Sequence, residues 1–174
     1  MNLKTNMKTG IILLAALLLV IVVSGCSSKD NNGSGGYGTG IDGNAVAGNS
    51  GMLFKVYKSE GCGCCSGYIK YLQKVEGFDN VEIVGVADVA PTKDEQGVPQ
   101  SLRSCHTVVV GDYFIEGHVP GEAIDKLMSE KPDIKGIAIA GMPSGSPGMP
   151  GGKTGDFVVY AVHKDGSIDE FMRV

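Results

Sequence analysis

The chain has 174 residues and a net charge of −4 without a basic stripe, which allows a domain with a real hydrophobic core and argues against a nucleic-acid partner. Trp is absent, aromatics make up 6%, and the 27 glycines gather in two stretches without a period, so neither a base-stacking platform nor a collagen or repeat array is indicated.

The first segment reads as an export signal. Lys4 and Lys8 precede an unbroken apolar run from Ile11 to Val23, and Ser24-Gly25 offers small residues for cleavage. That run is short for a membrane span. Residues 1–25 are therefore expected to be a signal peptide, with an uncleaved signal anchor as the alternative. Val23-Ser24-Gly25-Cys26 resembles the lipobox of bacterial lipoproteins. The resemblance implies that Cys26 is acylated and that two chains anchor the protein to a membrane, facing the periplasm or cell exterior. Residues 26–51, rich in Gly, Asn and Ser, then form a flexible tether, and 52–174 the folded domain.

Within that domain Leu53–Tyr57 alternates like a strand, Lys58–Gly63 forms a loop, and a helix opens at Cys64 or Cys65 and runs to about Glu76. Tyr68, Ile69, Leu72 and Val75 fall on one helix face, and Gly77 stops it. Val81–Val86 reads as a second strand, parallel to the first through the helix. Asp88–Leu102 is polar and proline-punctuated, with room for one or two helical turns. Thr107–Val110 and Tyr113–His118 form a hairpin around Gly111-Asp112, followed by a short helix over Glu122–Ser129 and a strand over Ile134–Ala140. After a Gly/Pro/Met/Ser loop from Gly141 to Gly155, Phe157–Val162 and Ser167–Met172 close the chain as a hairpin. The fold class is α/β. The order β-α-β then β-β-α resembles the thioredoxin fold, with a C-terminal β-hairpin extension.

The chemistry concentrates in cysteine. Apart from Cys26, the chain has Cys62, Cys64, Cys65 and Cys105, and three of these fall within four residues. Such crowding staples a fold poorly and builds a reactive or metal-binding centre well. Cys62 and Cys65 have C-x-x-C spacing before a helix, whose N-terminus favours thiolate over thiol. They could act as a catalytic dithiol, Cys62 as nucleophile and Cys65 resolving. Cys64 disturbs that reading, because a third sulfur is a wrong disulfide partner for an exchange catalyst but an added ligand for a thiophilic ion. In thioredoxin relatives a cis-proline just before the third strand faces the C-x-x-C motif; here Ser104-Cys105-His106 stands there, which would bring a fourth sulfur and an imidazole opposite the first three. Thiolates with imidazole suit copper or zinc. The thioethers of Met142 and Met149 favour copper, since thioethers bind Cu(I) and hardly Zn(II). His118, at a strand end, reads as structural or as orienting the site, and His163 as surface.

Cys62-Gly-Cys-Cys65, Ser104-Cys-His-Thr107, Glu116-Gly-His-Val-Pro120 and Gly141-Met-Pro-Ser-Gly-Ser-Pro-Gly-Met149 together resemble domain-of-unknown-function family 411, which includes CopG-type periplasmic copper-resistance proteins. The resemblance spans roughly Leu53 to Val174. It implies a thioredoxin-like domain that binds copper and interconverts Cu(I) and Cu(II). Its implied ligands are Cys62, Cys64, Cys65 and Cys105, with His106, His118, Met142 and Met149 as contributors. The expectation is a lipid-anchored copper-resistance protein, possible partners being copper efflux or chaperone proteins. The alternatives are a thiol–disulfide oxidoreductase or a structural zinc module.

Overall fold

A computed structural model describes residues 51–174. The expected signal peptide, Cys26 and nearly all of the tether lie outside the described residues. Among those described, no helix is long and apolar enough to cross a membrane.

The described chain is a mixed α/β fold. Its elements are β1 (Phe54–Ser59), α1 (Gly63–Lys74), β2 (Val81–Val86), α2 (Ala90–Gln96), a 3-10 turn (Gln100–Leu102), β3 (His106–Val110), β4 (Tyr113–Glu116), α3 (Gly121–Glu130), β5 (Ile134–Ala138), β6 (Val158–His163) and β7 (Ile168–Arg173). The strands join in one seven-stranded sheet, ordered β2-β1-β3-β4-β5-β6-β7. β1 runs parallel to β2 and antiparallel to β3; β4 is antiparallel to β3 and parallel to β5; β6 and β7 extend the sheet antiparallel.

Strand alternation sends successive side chains to opposite faces and so builds two cores. On one face Val56, Val108, Val110, Ile115, Ile137 and Ala161 meet Tyr68, Ile69 and Leu72 of α1 and Ala123, Ile124 and Leu127 of α3. On the other, Phe114, Ala138 and Val162 meet Val98, just after α2, and Leu102 of the 3-10 turn. The polar stretch between β2 and β3 thus has a structural task that its composition hides. It covers the second face.

Two boundaries differ from expectation in ways that matter. Val75 is 66% exposed, although the helical pattern put it on the buried face. α1 closes at Lys74, Val75 is its C-cap, and the Phe78 N–H turns back to the Leu72 carbonyl at 3.1 Å. Phe78 then fills the core and stacks on Phe54 with ring centroids 4.6 Å apart. β4 stops at Glu116 rather than reaching His118, because Gly117 adopts φ +80. A Cβ there would stand 2.9 Å from the Ile139 carbonyl oxygen, so glycine meets both the left-handed turn and the close approach. The turn takes His118 out of the sheet ladder and lets its side chain enter the molecule.

Candidate metal centre

The register places the end of β1, the start of α1, the start of β3 and the end of β4 at one end of the sheet. Lys58 pairs with His106 across β1 and β3, and Thr107 with Glu116 across β3 and β4. The Cys62-Gly-Cys-Cys65 loop enters from α1, and Ser104-Cys105-His106 faces it from the start of β3.

Cys62 is the N-cap of α1, and its sulfur accepts the Cys65 N–H at 3.3 Å. Cys62 and Cys65 are joined as a disulfide, with Cα atoms 5.4 Å apart. Cys65 is fully buried whereas Cys62 is half-buried, so Cys62 is the sulfur an incoming nucleophile reaches first. Cys64 and Cys105 are free thiols. The Cys64 sulfur lies 3.4 Å from that of Cys62 and 3.7 Å from that of Cys105, which closes a four-sulfur group across the two loops.

Cys105 belongs to a second group as well. Its sulfur lies 3.3 Å from His106 Nδ1 and 3.3 Å from His118 Nε2, and the three donors form their own cluster. Both imidazoles are fully buried. His118 Nδ1 donates to the Pro147 carbonyl at 2.7 Å, which leaves the Nε2 lone pair facing the sulfur. The ring of Tyr68 packs on both, at centroid distances of 4.6 Å to His106 and 5.4 Å to His118, while its hydroxyl donates to the Val119 carbonyl at 2.9 Å.

This arrangement fits a thiophilic metal. Buried His106 Nε2 has no hydrogen-bond partner, while Nδ1 faces the Cys105 sulfur. With its proton on Nε2, the ring presents the Nδ1 lone pair beside His118 Nε2 and the Cys105 sulfur, three convergent donors that a thiophilic cation could share. Burial, and then the neighbouring His118 and Lys93, push His106 down to about 3, so it stays neutral and able to ligate at any ordinary pH. Burial likewise holds His118 below its usual value. Burial and then the Cys64 thiol push Cys105 up to about 11, so without metal it is a protonated thiol. Metal binding would displace that proton.

The Gly141–Gly155 loop lies against this centre. Ser104 Oγ donates to the Gly141 carbonyl at 3.1 Å, Pro147 holds His118, and Gly148 sits on the start of α1. A Cβ on Gly148 would come within 2.3 Å of the Tyr68 nitrogen, and the residue has φ +78, so glycine is required at this contact. Met142 is 51% exposed and Met149 is half-buried, both on this loop. The donors that converge on Cys105 are sulfurs and imidazoles. A cavity of about 330 Å³ opens beside Cys105, bordered by Ser59, Asp88, Gln100 and Arg103.

His118, read from its position as structural or orienting and from the family resemblance as a contributing ligand, approaches Cys105 as closely as His106 does. Sequence reasoning missed Lys93, buried in the middle of a short polar helix, because a lysine in such a stretch looks like a solvated charge. It also gave no role to Glu116, the first residue of a motif it did pick out. His163 is half-buried and pairs with Asp169 at 3.1 Å, on the terminal hairpin.

Four sulfurs and two imidazoles at one end of a mixed sheet make a donor set that could hold a soft metal ion. The family pattern for a protein of unknown function, DUF411, matches residues 102–149. Two solved structures are similar, each 38% identical: copper resistance protein copG, Form 1, covering 71% of this chain and 97% of that one with a TM-score of 0.64, and Form 2, covering 71% and 98% with a TM-score of 0.65. The comparison with curated proteins finds no match. The chain belongs to the DUF411 family of CopG type.

Proposed function

We propose that this protein binds copper through Cys62, Cys64, Cys65, Cys105, His106 and His118, and serves copper resistance. The observation that carries the reading is Cys105, whose sulfur belongs both to the four-thiol group and to the thiol–imidazole group. The first set suits Cu(I); the second, with two nitrogens, tolerates Cu(II). Reduction of the Cys62–Cys65 bond frees two more thiolates for metal. In the opposite direction, closing that disulfide releases two electrons and two protons, enough to reduce two Cu(II) to Cu(I). The core is read as a thioredoxin-like variant in which the segment before β3 supplies ligands. Met142 and Met149 are read as additional thioether donors near the entrance. The same reading makes the protein exported and held to a membrane by lipid on Cys26, passing copper to an efflux or chaperone partner.

A second reading, thiol–disulfide exchange, is favoured by the Cys62–Cys65 disulfide at a helix N-terminus with the more accessible sulfur first. Elemental analysis together with Cu(I) competition against a strong chromogenic chelator separates the two. The copper reading expects at least one tightly held Cu(I) per reduced chain, lost in the Cys62→Ser/Cys65→Ser variant. Failure to compete with the chelator, combined with disulfide reductase turnover by the metal-free protein, would replace it with the exchange reading. Zinc that copper does not displace would assign the site to zinc.

A further inference from the structure

Beneath the Cys105 segment, on the α2 face of the sheet, sits a buried polar cluster, bordered at Lys93 and Ser104 by the cavity beside Cys105, that the copper reading does not use. Glu116 is 0% exposed and Lys93 5%. Glu116 Oε1 accepts from Lys93 Nζ at 2.6 Å and from the Ser104 backbone N–H at 2.5 Å. Its Oε2 accepts from the Thr107 hydroxyl at 2.6 Å, and Lys93 also donates to Thr107 Oγ1 at 3.0 Å. A single carboxylate thereby ties α2, the segment before β3, β3 and β4 together.

Such a cluster is a poor way to stabilise a core. Apolar residues of similar volume often serve as well as a buried ion pair or better, because both charges must leave water. What the carboxylate does that an apolar side chain cannot is fix one backbone amide. That amide belongs to Ser104, the residue before Cys105, in a segment with little regular structure of its own. Side-chain alternation explains the division of labour. His106 points to the α1 face beside Tyr68, while Thr107 points to the α2 face and joins Glu116. Among the described residues there is no cis peptide bond, so nothing of that kind sets the turn.

We propose that Glu116, charge-balanced by Lys93, is the positioning residue that holds the Cys105 segment opposite the Cys62–Cys65 loop. Its bearing on metal rests on the copper reading above; its bearing on where the Cys105 thiol sits does not. The mechanism is local clamping. With the Ser104 amide held, the Cys105 sulfur stays within 3.7 Å of Cys64 and 3.3 Å of both imidazole nitrogens. With it released, the thiol swings toward the cavity that already borders it.

The test compares two charge-neutral double variants in the full chain. In Lys93→Met/Glu116→Gln the side-chain carbonyl still accepts the Ser104 N–H, and the amide can donate to Thr107. In Lys93→Met/Glu116→Leu it cannot. Iodoacetamide labelling of Cys105, resolved by peptide mass spectrometry under non-reducing conditions, should run within about twofold of wild type for the Gln pair and about tenfold faster for the Leu pair. Cu(I) affinity of the reduced Leu pair should fall by about 10–100-fold, the usual effect of losing a group that orients a ligand. Wild-type labelling and wild-type Cu(I) affinity in the Leu pair overturn the proposal. Fast labelling of the Leu pair with no Cu(I) bound even by wild type would uphold the clamp and remove the copper reading. Should the Leu pair not fold, hydrogen exchange at the Ser104 amide of the wild-type protein decides: strong protection upholds the clamp, and exchange at the free-peptide rate overturns it.

Discussion

The two halves of the centre are held in opposite ways. The Cys62-Gly-Cys-Cys65 loop is organised locally: its first cysteine caps α1, accepts the N–H of its last, and is bonded to it. The Ser104-Cys105-His106 half is organised at long range, by Glu116 and Lys93 below, His118 beside it, and the Gly141–Gly155 loop above. A local cysteine motif therefore supplies sulfur, but long-range contacts decide which sulfur is shared. In this molecule that is Cys105.

The sharpest way to break the comparison is to remove one sulfur from each half. Cys105→Ser takes a donor from both groups and should lower Cu(I) affinity by on the order of 10²–10³-fold, each decade being about 1.4 kcal/mol. Cys64→Ser takes one from the thiol group alone and should cost about tenfold. Equal losses in the chelator competition would show that Cys105 is not shared. His118→Ala should weaken binding by about 10–100-fold, less than Cys105→Ser, whether the imidazole ligates or orients Cys105. His163→Ala, which removes an ion pair on the terminal hairpin, should leave binding unchanged.

A separate prediction concerns the metal-free fold and its buried imidazoles. His106 takes up a proton near 6.5 when unfolded but only near 3 when folded, and His118 is shifted the same way. Between those values the unfolded chain binds the proton that the folded one refuses. Stability contributed by the neutral His106 ring is therefore present above about pH 6.5 and is lost as pH falls toward 3, by about 1.4 kcal/mol per pH unit, and His118 adds to it in the same direction. Urea midpoints of the metal-free protein should drop between pH 7 and pH 5, and less so in His106→Leu. A midpoint that stays constant over that range would mean the rings are not buried neutral.

How much of this was legible follows the same division. The element order from β1 to β7 was readable because strand alternation and helical periodicity are local, and the cysteine spacing was readable for the same reason. Val75 was misplaced because the pattern continues past the point where backbone hydrogen bonding ends α1. The covering role of the stretch between β2 and β3 was not visible, since α2 carries no amphipathic signature and the residues that cover the face, Val98 and Leu102, stand singly after it. Lys93 and Glu116 lie 23 positions apart in sequence, and only the sheet brings their charges together. His118 could have been weighed more heavily from Gly117, because a glycine just after a strand marks a turn able to aim the next side chain inward.

The central claim is that sulfur and imidazole nitrogen meet at Cys105 around a common metal. X-ray absorption at the copper edge of the Cu(I)-loaded, reduced protein tests it most directly. The account predicts a sulfur shell together with imidazole scattering in the wild type, and loss of part of both in Cys105→Ser. A shell of sulfur alone, unchanged by Cys105→Ser, would contradict it.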